Sequence, residues 1–203
     1  MITAKELYDW SEDIRPVLTD INTSINNLRI IKIENANNLP EVRHKCFQFL
    51  WHQQRFVLIV QLAKLFCNNE LQKRNIHKLC KRFEENDFDD EIKNLLKKNS
   101  TKLTDVFRSR EDVLIYVSEI KKYIQENKDL IKKIKTLRNK VFAHTDPDKV
   151  SIKLTNDELE GLVTFANDVY NSLFGKIFDR HFFLEITKEW DLRYIIEIIK
   201  NNH

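Results

Sequence analysis

One stretch dominates the pattern of this chain, residues 109–144, which reads SREDVLIYVSEIKKYIQENKDLIKKIKTLRNKVFAH. Ser109, with Asp112 three residues later, predicts a capping pair at the start of a helix. Asp146-Pro147 closes that helix, because proline disfavours the helical conformation in the residue before it. The stretch therefore predicts one long helix, about 54 Å in length if it is unbroken.

The apolar side chains of this predicted helix fall on one side, in an arc about 160° wide at roughly 100° per residue. Lys132 and Lys133 face away from the arc, but Arg138 lies near its middle, about one turn from Ile134. Because arginine keeps its charge, burying it costs several kcal/mol unless an acidic partner or an anionic ligand meets it. Arg138 is therefore the most informative residue of the sequence. The arc consists of Val117, Ile120, Tyr123, Ile124, Leu130, Ile131, Ile134, Leu137, Val141 and Phe142.

Composition indicates an all-α protein. The chain of 203 residues contains only two glycines and three prolines, which favours helices joined by short polar connections. We expect a single domain over residues 1–203, folded as an antiparallel helical bundle with one long member. The formal net charge of +3 is too small to indicate a nucleic-acid partner by itself.

Further helices are predicted on both sides of the long one. Thr3 with Glu6, and Thr155 with Glu158, form capping boxes at two helix starts. The most apolar segment, residues 40–65, is expected to be the central helix of the bundle. Shorter helices are predicted over 76–83, within 84–98 and over 183–199.

The cysteines and the apolar runs predict the compartment. Cys46, Cys67 and Cys80 are odd in number and lack C-x-x-C spacing, which is typical of a reduced, intracellular chain. The first residues lack an apolar signal region, and the longest apolar run, 56–66, is interrupted and too short to cross a bilayer. We expect a soluble, cytoplasmic protein without a membrane partner.

Several kinds of chemistry are disfavoured by the residues present. Two glycines are too few for a Walker loop or a dinucleotide-binding fingerprint. Glu41 and His44 form a lone E-x-x-H, whereas a di-iron bundle needs two such pairs and two further glutamates. A metal enzyme built on this pair stays a weaker alternative. His52, His77 and His181 lack ligand spacing and are read as surface or packing residues, so we predict neither a metal site nor a cofactor.

The remaining motif is Arg138-Asn139-Lys140-Val141-Phe142-Ala143-His144, at the end of the long helix. It resembles the R-N-x-x-x-A-H signature of the HEPN superfamily of α-helical ribonucleases. The surrounding residues 136–146 are similar to the form seen in the AbiU-like abortive-infection branch, and residues 62–66 and 76–79 are also similar to that branch.

This resemblance implies metal-independent cleavage of RNA by a homodimer, with a composite site where the motif helices of two protomers meet. It implies that Arg138 and His144 are catalytic and that Asn139 contacts the substrate. It also implies a role in phage defence or as a toxin, with a protein antitoxin or regulator as a possible partner.

The residue types suit that reaction. Histidine titrates near neutral pH and can act as the base for the 2′-hydroxyl or as the acid for the leaving 5′-oxygen. The guanidinium of Arg138 can meet the charge that develops on the phosphate, and Asn139 can hold a phosphate or orient the histidine. On a straight α-helix, Arg138 and His144 lie about 120° apart. Unwinding at the helix end or a two-fold partner would bring the two functions together.

Plainer interpretations of the motif stay open. Arg138 can be a structural residue paired with an acid of a neighbouring helix, and His144 can cap the helix C-terminus. The chain can also be a non-catalytic HEPN-type scaffold module that binds RNA or a protein.

Overall fold

A computed structural model of the chain describes residues 1–37, 45–68, 72–102, 105–142, 152–179 and 191–201. In the range 105–142, side chains are described as far as residue 139. Throughout these ranges the regular structure is helical, which confirms the predicted all-α class. The elements are α1 (Ala4–Ala36), α2 (Lys45–Phe66), α3 (Ile76–Glu85), α4 (Asp90–Asn99), α5 (Arg110–Glu126), α6 (Lys128–Thr136), the π-helical turn π1 (Leu137–Phe142), α7 (Asn156–Tyr170), the π-helical turn π2 (Asn171–Gly175), α8 (Lys176–Phe178) and α9 (Leu192–Asn201).

The core forms around α1 and α2, which pack along each other. α1 continues through Pro16 without ending and buries apolar residues at three- and four-residue spacing, among them Leu18, Ile21 and Leu28, each 0% exposed. This spacing places one stripe of the helix against its neighbours. α9 joins the bundle through a smaller apolar cluster formed by Ile30, Ile31, Phe47, Leu192 and Ile196.

α2 is the central helix, as its apolar composition predicts. It contacts α1, α3, α6, α7 and π1. The burial is concentrated in its second half, where Leu58, Leu62 and Phe66 are each 0% exposed. The first half is more open, and Phe49 is 60% exposed.

The predicted long helix is helical from Arg110 to Phe142, but it departs from a continuous α-helix at two points, so the length calculated for an unbroken helix does not apply. At Asn127 the backbone departs from helical geometry (φ −99°, ψ 16°), and α5 ends there as α6 begins. The Asn127 side-chain amide donates to the carbonyl of Tyr123 over 2.9 Å. Asparagine favours such local bonds over continued helix. The second departure is π1, which replaces the last α-turns.

The helix starts agree with the sequence. At Ser109 and Asp112, and again at Thr155 and Glu158, both hydrogen bonds of a capping box are present. At the start of α1, Thr3 accepts a hydrogen bond from the backbone N–H of Glu6, but the predicted box is incomplete, because the Glu6 carboxylate pairs with Arg82 over 2.8 Å. Of the last helix, predicted over 183–199, the described part is α9 over Leu192–Asn201, and residues 183–190 lie outside the described ranges.

A helix that crosses a lipid bilayer must be both long and apolar. Within the ranges given above, no helix combines the length and the apolar character that crossing a lipid bilayer requires.

Candidate active site

The motif begins where the apolar arc of α6 enters the core. Ile131, Ile134 and Leu137 are 9%, 0% and 7% exposed, and π1 packs against α2. These three members of the arc are therefore buried as its periodicity predicts, and their burial fixes the helix on which Arg138 is carried.

The turn that carries Arg138 and Asn139 is π-helical. Such a turn closes hydrogen bonds between residues five apart, and single π-turns occur frequently at functional sites. Because a π-turn holds more residues than an α-turn, side chains leave it at other angles than on a straight α-helix. The angles of a straight α-helix therefore do not describe π1, and His144 lies outside the described residues.

Arg138 is partly buried and Asn139 is exposed. The Arg138 Nε donates a hydrogen bond to the Asn139 Oδ1 over 2.9 Å. Among the described residues, no carboxylate oxygen lies within 4.0 Å of the guanidinium. In this part of the chain, the ion pair expected of a structural arginine is not present.

The surroundings of Arg138 are positively charged. Burial raises the pKa of the Cys67 thiol, while the nearby charges of Arg138 and Lys135 act in the opposite direction. Cys67 is 2% exposed at the end of α2. Lys133, on the preceding turn, is neutralised instead, because its Nζ lies 3.2 Å from a carboxylate oxygen of Glu158 on α7. The arrangement thus leaves two cations, Arg138 and Lys135, close to one buried thiol.

Of the predicted site residues, the structure describes Arg138 and Asn139 but not His144. It brings Arg138 and Asn139 into direct contact. His144, Glu41, His44 and the helix stop at 146–147 lie outside the described residues, as does His181.

The two described histidines agree with their interpretation as surface or packing residues. His52 is exposed beside the ring of Trp51, with 5.1 Å between ring centroids. His77 forms a 2.8 Å hydrogen bond through its Nε2 with the carbonyl oxygen of Phe66.

The sequence pattern did not single out Lys135, whose charge adds to that of Arg138. The available signal was its spacing, since residues three apart on a helix are neighbours. The ion pair between Lys133 and Glu158 was not predicted either. It joins α6 to the first turn of α7, and no local sequence pattern indicates that these two helices meet.

Comparison with known proteins gives one match. No curated protein and no solved structure matches the chain. A HEPN family model described as AbiU2 matches residues 34–190, which is more than half of the chain. The match extends from the end of α1 through α8 and includes the whole R-N-x-x-x-A-H motif on the long helical segment. The chain therefore belongs to the AbiU2 family of the HEPN superfamily.

Proposed function

We propose that this protein is an endoribonuclease that cleaves RNA without a metal ion, by attack of the RNA 2′-hydroxyl. The observation that carries the proposal is the state of Arg138. It is a partly buried guanidinium inside a HEPN motif, and no described carboxylate neutralises it. Such a group is suited to an anionic ligand, and the family makes the phosphodiester of RNA the natural candidate.

In the proposed reaction, a base removes the proton of the 2′-hydroxyl, and the 2′-oxygen forms a bond to phosphorus. The bond from phosphorus to the 5′-oxygen breaks, and an acid gives that oxygen a proton. The products are a 2′,3′-cyclic phosphate and a 5′-hydroxyl. His144 is assigned to proton transfer. Arg138 stabilises the charge on the phosphoryl oxygens with its planar donor fork, and Asn139 positions a phosphate.

The reaction needs both a base and an acid, whereas each chain supplies one histidine within the motif. A two-fold dimer that joins the motif segments of two protomers would supply two histidines and two arginines to one cleft. We therefore assign the active site to a homodimer interface. The biological role that fits is abortive infection or toxicity to the host cell, restrained by a protein antitoxin or regulator.

The experiment that tests this function is RNA cleavage in EDTA. Wild-type protein is incubated with total RNA, and the cut ends are analysed for cyclic phosphate and 5′-hydroxyl. Arg138→Ala and His144→Ala are expected to abolish cleavage. Lys132→Ala is the matched control, because Lys132 is an exposed cation on the same helical arm and faces away from the apolar arc. Equal cutting by all variants would contradict the assignment.

The same variants separate catalysis from a scaffold role. A scaffold would bind RNA and leave it intact with or without EDTA. A purely structural Arg138 would show itself as a lower free energy of unfolding in Arg138→Ala, with no cleavage activity to lose.

A further inference from the structure

A second positively charged feature lies far from the motif, where α4 faces the start of α5. We name it the α4–α5 cleft and define it by Asp87, Lys93, Lys97, Arg108 and Arg110, which line a volume of about 300 Å³. Lys93 and Lys97 are four residues apart on α4, so they lie on the same face of that helix. Arg108 and Arg110 flank Ser109, the N-cap of α5.

The cleft carries an excess of positive charge. Four cations line it against one carboxylate, which gives the cleft a formal charge equal to the +3 of the whole chain. Elsewhere the two signs therefore balance. The small net charge of the chain therefore does not exclude a local surface of strongly positive charge.

The single carboxylate is already shared. An Asp87 oxygen lies 3.1 Å from Lys93 Nζ and the other 3.6 Å from Arg110 Nε. Lys93, the Phe88 backbone N–H and Arg110 hold the pKa of Asp87 below its ordinary value of 3.8, so this group is ionised at neutral pH. It offsets one of the two cations that it faces.

The arginines keep unused hydrogen-bonding capacity. Arg110 Nε is buried, faces an Asp87 oxygen at 3.6 Å and has no hydrogen-bond partner among the described residues, while its Nη2 donates to the carbonyls of Phe83 and Asn86 over 3.3 and 3.1 Å. Within the described ranges, the Arg108 side chain donates through Nη2 to the carbonyl of Lys102 alone, over 3.4 Å. Asp112 is committed elsewhere, because its carboxylate accepts the backbone N–H groups of Arg108 and Ser109.

Within the described part of the chain, Lys97 and Arg108 have no carboxylate oxygen within 4.0 Å, and both side chains are exposed. The apolar lining residues Phe88 and Leu96 are only 1% and 4% exposed, so the cleft offers no open aromatic face on which a base could stack. A surface of exposed cations without an open aromatic face is suited to phosphate groups. Because phosphate groups are the same in every nucleotide, such a surface does not distinguish between nucleotide sequences.

We propose that the α4–α5 cleft binds the phosphate backbone of RNA, as a contact separate from the motif. This inference rests on the proposed function for its choice of RNA. The cleft lies at the start of α5 and the motif begins beyond the end of α6, so Arg108 and Arg138 are separated by at most about 45 Å along the helical arm. The cleft would hold a remote part of the same RNA and raise its affinity without touching the scissile bond.

The experiment measures binding of a single-stranded 2′-O-methyl RNA, which lacks the attacking hydroxyl and stays intact on wild-type protein. The test pair is Lys97→Gln with Arg108→Gln. The control pair is Lys98→Gln with Lys122→Gln, which removes the same charge from exposed positions of α4 and α5 outside the cleft. Affinity is measured over a range of salt concentrations.

We expect the test pair to weaken binding by about 25-fold at roughly 0.1 M salt and to reduce the slope of log K against log salt by about 1.4, because two phosphate contacts are lost. The control pair is expected to change both quantities much less. Equal losses in the two pairs, or no loss in either, would overturn the proposal. So would a test pair that loses binding to phosphatidylserine vesicles while keeping its affinity for RNA.

The two proposals fail in different ways. If Arg138→Ala and His144→Ala still cut RNA while the test pair loses affinity, the catalytic assignment is wrong and the cleft stands. If those variants abolish cutting while the test pair binds like the control pair, the cleft assignment alone is wrong.

Discussion

Arg138 follows directly on Leu137, a residue that is 7% exposed, and is itself partly buried. Its one described hydrogen bond goes to the neutral amide of Asn139. Lys135 adds a second positive charge to the same region. A partly buried cation without a described carboxylate partner is stabilised most by an anionic ligand. This is the physical reason for proposing that the RNA phosphate binds at Arg138.

The shape of the guanidinium is the first testable feature. Arg138→Lys keeps the positive charge but removes the planar pair of donors, so we expect RNA cleavage to fall on the order of 100-fold. Thermal unfolding is expected to stay close to that of the wild type. The control is Lys132→Arg, on an exposed site of the same arm, which should cleave normally. An Arg138→Lys variant as active as the wild type would show that charge alone is sufficient.

The three cysteines give a second prediction at this scale. Cys46 is exposed, whereas Cys67 and Cys80 are each 2% exposed. Burial raises the pKa of both buried thiols, and that of Cys80 to about 12. Because the thiolate is the reactive form, iodoacetamide at about pH 8 should modify Cys46 alone in the folded protein.

Intact mass spectrometry checks the number of modified thiols. One alkyl group per folded chain is expected, three after unfolding in urea, and none in folded Cys46→Ser. Rapid modification of Cys67 or Cys80 in the folded protein would contradict the burial.

Among the elements, the junction of α6 with α7 bears most directly on the motif. Glu158 closes the capping box of α7 and also pairs with Lys133 on α6 over 3.2 Å. The backbone N–H of Thr155 lowers the pKa of Glu158 below its ordinary value of 4.5, and Lys133 adds to this effect. One carboxylate therefore links the first turn of α7 to the helix that precedes Arg138.

A carboxyl group whose pKa is lower in the folded state than in the unfolded state stabilises the folded protein at pH values above its unfolded pKa. This stabilisation is lost as the pH falls through the folded pKa. Glu158→Gln is therefore expected to lower the free energy of unfolding by about 0.5–1 kcal/mol at neutral pH. The difference from the wild type should begin to shrink near pH 4.5, the ordinary value for this carboxyl, and vanish at lower pH.

Urea unfolding across this pH range measures the effect. The control is Asp157→Asn, which removes a charge from the same helical turn at an exposed position. An equal effect in both variants would mean that the contacts of Glu158 with Thr155 and Lys133 contribute nothing of their own.

At the scale of the whole molecule, the proposed site depends on two chains. We expect a dimer in solution, with about twice the 24.4 kDa mass of one chain. Mixing the wild type with a ninefold excess of Arg138→Ala, after exchange of protomers, should lower the cleavage rate per wild-type chain about tenfold, because most wild-type chains then occupy mixed dimers.

Light scattering gives the mass, and RNA cleavage gives the rate. A matched excess of Lys132→Ala should leave the rate unchanged. A rate that is insensitive to Arg138→Ala chains would place the complete site within one protomer.

The sequence determined the helical character of this chain, the starts of α5 and α7, and the burial of Ile131, Ile134 and Leu137. These features depend on neighbours three and four residues apart, which any reader of the sequence can see. It also contained the motif that identifies the family.

Only the tertiary structure decided the contacts between distant residues. The pairing of Lys133 with Glu158 and the lack of a described carboxylate beside Arg138 depend on which elements come to lie side by side. The α4–α5 cleft is of the same kind, because a nearly neutral composition becomes a concentrated positive charge only when folding brings Lys97 and Arg108 to one surface. Local periodicity specifies the faces of helices, and packing decides what those faces meet.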